Sequence, residues 1–160
     1  MTLSHIVAVS KNGVIGNKND IPWQIPGELE RFKALTMNRT VIMGRKTYES
    51  LPKKLIGREI IVVSATLEAT KDYRVARSVS QALELTTGLE EVFIAGGGQL
   101  YLHTVDLVDR IYYTHVHEHV EGDVTYPLHV LDGFNKVYEE YVKANIDYTY
   151  ATYERKKEHL

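Results

Sequence analysis

Glu28 sits in the stretch VIGNKNDIPWQIPGELERFKALTM (residues 14–37), where a helix starting near Pro26 would carry it. On that helix Leu29, Phe32 and Leu35 form the inward apolar stripe, and Glu28 projects close to its centre. Glu30, Arg31 and Lys33 fall to the sides or back. A buried acid is costly unless something satisfies it. Glu28 therefore either faces water in the first turn, where the helix dipole favours it, or lies in a pocket with a partner. Helical geometry leaves both open.

A second group could hold an anion. Gly44-Arg45-Lys46-Thr47 is a strand-to-helix junction with two cations and a hydroxyl. Cations at a helix start oppose the dipole unless an anion sits there. Ser64 and Arg77, each just past a strand, could extend the same site. Gly96-Gly97-Gly98 follows a strand and opens a helix, the setting in which backbone N–H groups hold a pyrophosphate or simply make a tight turn. The full G-x-G-x-x-G does not fit, because Tyr101 stands at the third glycine, and no G-x-x-x-x-G-K-[ST] occurs. His115, His117 and His119 alternate as they would on one strand face, but the chain leaves the strand near His117 and no carboxylate ligand is evident. Solvated histidines are expected there, and no metal. No G-x-S-x-G elbow is present.

These residues need elements to position them. Leu3–Val9 reads as a buried strand, closed by Lys11-Asn12-Gly13, and Ser10–Gln24 as a long loop. Thr40–Met43 is a strand, Gly44–Leu51 a helix ended by Pro52, and Glu59–Val63 a strand. Tyr73–Ala76 is a short strand, and Ser78 caps a helix over Val79–Thr87. Glu91–Ala95 is a strand running into a helix that ends near Val105. Arg110–Val116, Phe134–Val142 and Tyr148–Arg155 are late strands. Early strands separated by helices predict parallel pairing, and the last two an antiparallel hairpin at one edge. The expected fold is a three-layer α/β/α domain over residues 1–160. It has a mixed, mostly parallel sheet of eight strands and about four helices.

The 160 residues, 44% hydrophobic and 25% charged, suit one globular domain. No apolar run approaches the length of a membrane span, and the start lacks the basic region of a signal peptide. The absence of cysteine excludes disulfides and thiolate metal sites and fits a reducing cytoplasm. A net charge of −2 is too balanced for a general nucleic-acid binder. Its distribution is uneven, with nine Lys/Arg against four Asp/Glu from Arg39 to Arg77 and six against eleven from Asp106 to Glu158. A basic middle could hold a phosphorylated cofactor.

Taken together, VIGNKNDIPWQIPGELERFK, VIMGRKTYESL, GREIIVVS, VFIAGGGQLY, IYYTHV and VEGDVTYP closely resemble dihydrofolate reductases of the bacterial chromosomal and plasmid-borne type. The segments fall in family order and span essentially the whole chain. The resemblance implies reduction of 7,8-dihydrofolate to tetrahydrofolate by NADPH, with hydride delivered to pterin C6 and a proton to N5. It makes Glu28 the group that grips the pterin 2-amino and N3 positions, supported by Thr114 directly and by Trp23 through water. Tyr101 belongs to the same catalytic set. It places Ile6, Val7, Leu29, Phe32, Leu51, Leu55 and Ala95 in the substrate cleft and pairs Arg58 with the α-carboxylate of the glutamyl tail. Gly44, Arg45, Lys46, Thr47, Ser64 and Arg77 match cofactor-phosphate positions. Ala8, Ile15, Gly16, Asn19, Gly96, Gly97, Gly98, Gln99, Leu100 and Tyr101 would surround the nicotinamide and pyrophosphate, with the Gly96–Gly97 peptide cis. Asn17–Gln24 corresponds to a mobile lid, and Gly122-Asp123 to a loop bracing it. The implied partners are dihydrofolate, NADPH and antifolates of the trimethoprim and methotrexate class. A cytoplasmic monomer is expected, with no nucleic-acid or membrane partner.

Bacterial chromosomal enzymes of this family usually carry Asp at the Glu28 position and a larger aliphatic at Ala95. Ile21 and Gln24 vary within the lid. Glu28 and Ala95 are expected to lower affinity for diaminopyrimidines such as trimethoprim while sparing turnover, with neutral drift as the alternative. Two other functional classes compete. A non-catalytic nucleotide-binding module needs no carboxylate in an apolar cleft, and a histidine-metal hydrolase would be abolished by chelator.

Overall fold

Apolar runs bounded by turn residues form the sheet, and their period of two divides the side chains between two cores. The computed structural model describes residues 1–16, 26–51 and 54–157. In chain order the elements are β1 (Thr2–Ser10), β2 (Val14–Gly16), α1 (Pro26–Thr36), β3 (Thr40–Gly44), α2 (Arg45–Glu49), β4 (Glu59–Val63) and β5 (Arg74–Ala76). There follow α3 (Val79–Leu85), β6 (Glu91–Ile94), α4 (Gly98–Thr104), β7 (Arg110–Val116), β8 (Val124–Thr125), a 3₁₀ turn (Leu128–Gly133), β9 (Phe134–Val142) and β10 (Tyr148–Arg155). The eight-stranded sheet runs β5-β4-β3-β6-β1-β7-β10-β9. Pairing is parallel from β5 to β7 and antiparallel where β10 joins β7 and β9.

Leu3, Val7, Ile42, Ile61, Val92 and Ile94 point to one face, where Ala82 of α3 and Leu100 and Tyr101 of α4 cover them. Ile6, Val41, Met43, Ile60, Val62 and Phe93 point to the other, against Phe32 and Leu35 of α1 and Tyr48 of α2. The central strands are buried on both faces, so they read as continuous apolar runs rather than alternating ones. Each fully buried aliphatic side chain contributes about 1.5–3 kcal/mol. Neighbouring β1 and β6 lead into α1 and α4 on opposite faces, and open α/β sheets bind ligands at the carboxyl ends of strands at such a switch point.

The expected eight-stranded mixed sheet and three layers are observed. Differences lie at element ends and in short pieces. Helix α2 stops at Glu49, not Leu51, because Ser50 closes it with its N–H on the Lys46 and Thr47 carbonyls and its hydroxyl on Thr47. Helix α3 stops at Leu85, not Thr87, where the Thr86 hydroxyl bonds back to the Ala82 and Leu83 carbonyls. Its start is as expected, with Ser78 Oγ accepting the Gln81 N–H at 3.0 Å. The expected loop after β1 contains β2, paired antiparallel with β8 around an irregularity between Val14 and Gly16. Leu29 is not part of the inward stripe. It is 58% exposed, whereas Phe32 and Leu35 one and two turns on pack into the second core. Among the described residues no helix is long and apolar enough to cross a membrane.

Candidate active site

The first turn of α1 lies against the last strand. Gly27 has no room for a side chain, because a Cβ there would collide with the Tyr148 hydroxyl. The Tyr150 hydroxyl donates to the Gly27 carbonyl at 2.8 Å. The next residue, Glu28, therefore turns inward, and Thr114 Oγ1 donates to its Oε2 at 2.8 Å. Thr114 on β7 and Tyr150 on β10 are direct cross-strand partners, and Ala8 of β1 pairs with Thr114 on its other side. One row of three strands thus underlies the carboxylate. Burial raises the Glu28 pKa, while the Thr114 hydrogen bond and the positive charge of Arg31 oppose that rise. The choice left open by helical geometry is decided for the partnered acid.

Most of the expected cleft residues meet on this face. Ile6, Phe32, Leu51, Leu55 and Ala95 belong to or pack on the second core. Val7 differs, because alternation along β1 sends its side chain into the opposite core and leaves only its backbone to this face. Leu29 stands exposed at the start of α1.

Arg58 lines a cavity of about 210 Å³ with Tyr48, Lys54, Leu55, Ile56, Lys71 and Asp72. Its Nε and Nη1 are buried with no hydrogen-bond partner among the described residues, and burial lowers its pKa. An unpaired buried donor costs about 1–3 kcal/mol. A carboxylate is the ligand type that the guanidinium meets with charge-assisted hydrogen bonds.

The two glycine junctions are fastened together. Gly44 N–H donates to the Gly96 carbonyl at 2.8 Å. The Gly96–Gly97 peptide is cis, as expected, and Gly96 has a φ of 110°, a region open chiefly to glycine. A Cβ on Gly97 would stand 3.3 Å from Thr47 Oγ1, so glycine lets that hydroxyl approach the backbone. The Arg45 guanidinium reaches Glu49 at 3.3 Å and Thr66 at 3.5 Å. Ser64 Oγ accepts the N–H groups of Thr66 and Leu67, while Arg77 donates to the Ser64 and Leu67 carbonyls at 3.1 and 2.7 Å. Arg45, Ser64 and Arg77 therefore frame one surface, with Lys46 exposed beside Arg45 on the same short helix. Because α2 has five residues, side-chain cations rather than a macrodipole dominate its start.

Tyr101 is buried, and its hydroxyl donates to the Ile6 carbonyl at 2.6 Å. Burial raises its pKa well above the ordinary value, so the phenol stays neutral and ties α4 to β1. Leu100 is buried beneath it, Gln99 is exposed, and Ala8, Ile15, Gly16, Gly97 and Gly98 are half-buried. Trp23 and Asn19, with the rest of the expected lid, lie outside the described residues. The expectation of solvated histidines fails for His115, which is half-buried and bonded through Nε2 to the Tyr153 hydroxyl at 2.8 Å. His117 is exposed and bonded to Thr149 at 2.7 Å. Among the described residues no group of three metal-binding side chains forms.

Sequence reasoning missed Gly27, Arg31 and Tyr150. The Tyr148-Thr149-Tyr150 alternation was the available signal, but nothing local links it to α1. It also missed His5, fully buried between the Tyr126 and Thr104 hydroxyls at 2.9 and 2.7 Å.

A family model described as dihydrofolate reductase matches residues 2–155. Dihydrofolate reductase type 6 of Proteus mirabilis is 40% identical over 153 residues, covering 94% of this chain and 96% of its own. The dihydrofolate reductase of Bacillus subtilis is 36% identical over 159 residues, covering 96% and 95%. The solved structure of dihydrofolate reductase from Enterococcus faecalis, complexed with NADP(H) and RAB-propyl, superposes with a TM-score of 0.89 at 28% identity, over 98% of this chain and 97% of that one. Coverage at both ends of these comparisons, together with the matched family model, shows that the chain belongs to the dihydrofolate reductase family.

Proposed function

We propose that Glu28 is the pterin anchor of this reductase, a reading carried by the inward carboxylate held by Thr114 at the apolar face of the sheet. The chain catalyses the NADPH-dependent reduction of 7,8-dihydrofolate to tetrahydrofolate. The pterin 2-amino and N3 groups form a donor–donor edge, and an ionised carboxylate meets it with two charge-assisted hydrogen bonds. Thr114 occupies one acceptor position on Oε2 and fixes the plane of the carboxylate, leaving the remaining lone pairs for substrate. Glu28 grips the edge away from N5, so it orients and polarises the ring while water delivers the proton to N5. Arg58 takes the α-carboxylate of the glutamyl tail through charge-assisted hydrogen bonds from its guanidinium.

The residues present fit the cofactor: a close-packed glycine turn lies beside a surface framed by Arg45, Lys46, Ser64 and Arg77. When bound, NADPH supplies the hydride for C6. Arg45, Lys46, Thr47, Ser64 and Arg77 would hold its phosphates, and the cations would favour it over NADH. Gly44, Ala8, Ile15, Gly16, Asn19 and Gly96 to Tyr101 would surround the remainder. Tyr101 acts by holding α4 and its glycine turn in place rather than by donating a proton.

The same reading takes residues 1–160 as one domain and the protein as a cytoplasmic monomer. The longer Glu28 side chain and the smaller Ala95 weaken diaminopyrimidine inhibitors while sparing turnover. The test follows NADPH oxidation with dihydrofolate. Glu28→Gln loses most activity at neutral pH, and full retention would remove the anchor role. Titration with trimethoprim should find Glu28→Asp more sensitive than wild type, and equal inhibition would remove the resistance reading.

A further inference from the structure

Arg31 is a half-buried cation on the active-site helix, and no carboxylate among the described residues forms a salt bridge with it. Its guanidinium carbon stands 3.8 Å from the centroid of the Tyr150 ring. Burial lowers its pKa, and Glu28 exerts the largest opposing influence. A cation in this setting needs compensation. The ring face supplies about 0.5–2 kcal/mol, and Glu28, three residues earlier on the helix, is the foremost of the charges that add to it. Tyr150 is itself fixed by its hydrogen bond to the Gly27 carbonyl and by pairing across the sheet with Thr114. A single cross-strand pair therefore holds the carboxylate, the peptide before it and the cation one turn after it.

We propose that Arg31, seated on the Tyr150 ring one helical turn after Glu28, is a positioning residue for the reaction, adding to the Thr114 hydrogen bond a positive field that favours the carboxylate form of Glu28 in its apolar cleft. Thr114 donates to Glu28 from an uncharged hydroxyl on β7, and Tyr101 on α4 and Tyr150 on β10 are phenols that burial keeps protonated. Tyr138 and Glu140 of β9 also act on Arg31, and Tyr138 donates its hydroxyl to Glu140. Among the described groups that influence Glu28, Arg31 is the cation. The inference rests on Glu28 being the pterin anchor.

The experiment is a ¹³C NMR titration of the side-chain carboxyl of Glu28 in the full chain saturated with NADP⁺, its resonance identified by its loss in Glu28→Gln. Arg31→Leu should raise the midpoint by about 0.5–1, below the 1–3 of a contacting pair because no salt bridge forms. Arg31→Lys should restore most of that change, and Tyr150→Leu, which removes the seat, should raise the midpoint in the same direction. Tyr150→Phe keeps the ring and should stay nearer wild type. An unchanged midpoint in Arg31→Leu overturns the proposal. So does a rise that Arg31→Lys fails to reverse, since repacking rather than charge would then be its cause. Either failure leaves the anchor role intact, whereas full turnover by Glu28→Gln would remove that role without altering the effect of Arg31 on the wild-type titration.

Discussion

Replacing Thr114 with valine should destabilise the protein by an amount that depends on pH. The substitution keeps the shape of the side chain and removes the donor that sits 2.8 Å from Glu28 Oε2. Where Glu28 is ionised, the lost hydrogen bond is charge-assisted and worth about 1.5–3 kcal/mol; where it is protonated, the loss falls to about 0.5–1.5 kcal/mol. Burial raises the Glu28 pKa in the folded protein. The native state then holds its proton more tightly than the unfolded chain, so the Glu28 contribution is most favourable below the unfolded pKa and declines as pH rises through the folded one. Removing Thr114 raises the folded pKa further and widens that window upward. Urea unfolding of wild type and Thr114→Val from pH 4.5 to 8.5 should show the difference between them growing toward the alkaline end. At neutral pH kcat/KM should fall about tenfold, the equivalent of roughly 1.4 kcal/mol. A stability difference that stays constant across the range would refute the reasoning, because Thr114 would then support packing and not the ionised acid.

Arg58→Leu should raise KM for dihydrofolate about ten- to hundredfold, from loss of a charge-assisted pair, with kcat little changed. Thermal melting of the free protein should show no loss of stability, since two unpartnered buried nitrogens disappear. Arg77→Ala should reduce the ratio of kcat/KM for NADPH over NADH by about tenfold or more, read by paired steady-state assays. It also frees the Ser64–Leu67 turn that Arg77 braces. His5 has its pKa lowered from 6.5 to about 3 by burial, so the folded state binds fewer protons than the unfolded state below neutrality. Stability should fall as pH drops through 6.5 toward 4, and His5→Gln should flatten that decline in urea titrations even if its overall stability is lower.

Local signals made much of this protein legible. Runs such as TVIM and EIIVV could only be buried strands, and Ser78 announced the helix it caps. The cationic junction proposed for the cofactor phosphates also stood out, because glycine, cations and a hydroxyl crowded one short stretch. The reasons for the misses are physical. Strand β8 has two residues, too few to display a period. The ends of α2 and α3 depend on Ser50 and Thr86 choosing backbone carbonyls, which composition alone does not reveal. Val7 sits in an apolar run that looks alike on both faces, so its direction emerges only from register. Arg31 and Tyr150 looked like a solvated charge and an ordinary sheet aromatic, and their meeting depends on tertiary contact between α1 and β10.

The tie from Tyr150 to Gly27 spans 123 positions, and that from Thr114 to Glu28 spans 86. During synthesis the segment bearing the acid emerges long before either strand that orients it. The emerging chain can gather its parallel strands and the junctions proposed for the cofactor, residues 44–98, before the acid has its partners. Competence arrives only when β10 closes against β7, a late event dominated by distant contacts. Nicking or shortening the chain within β10 should therefore yield a protein that retains some affinity for the nucleotide but turns over almost nothing.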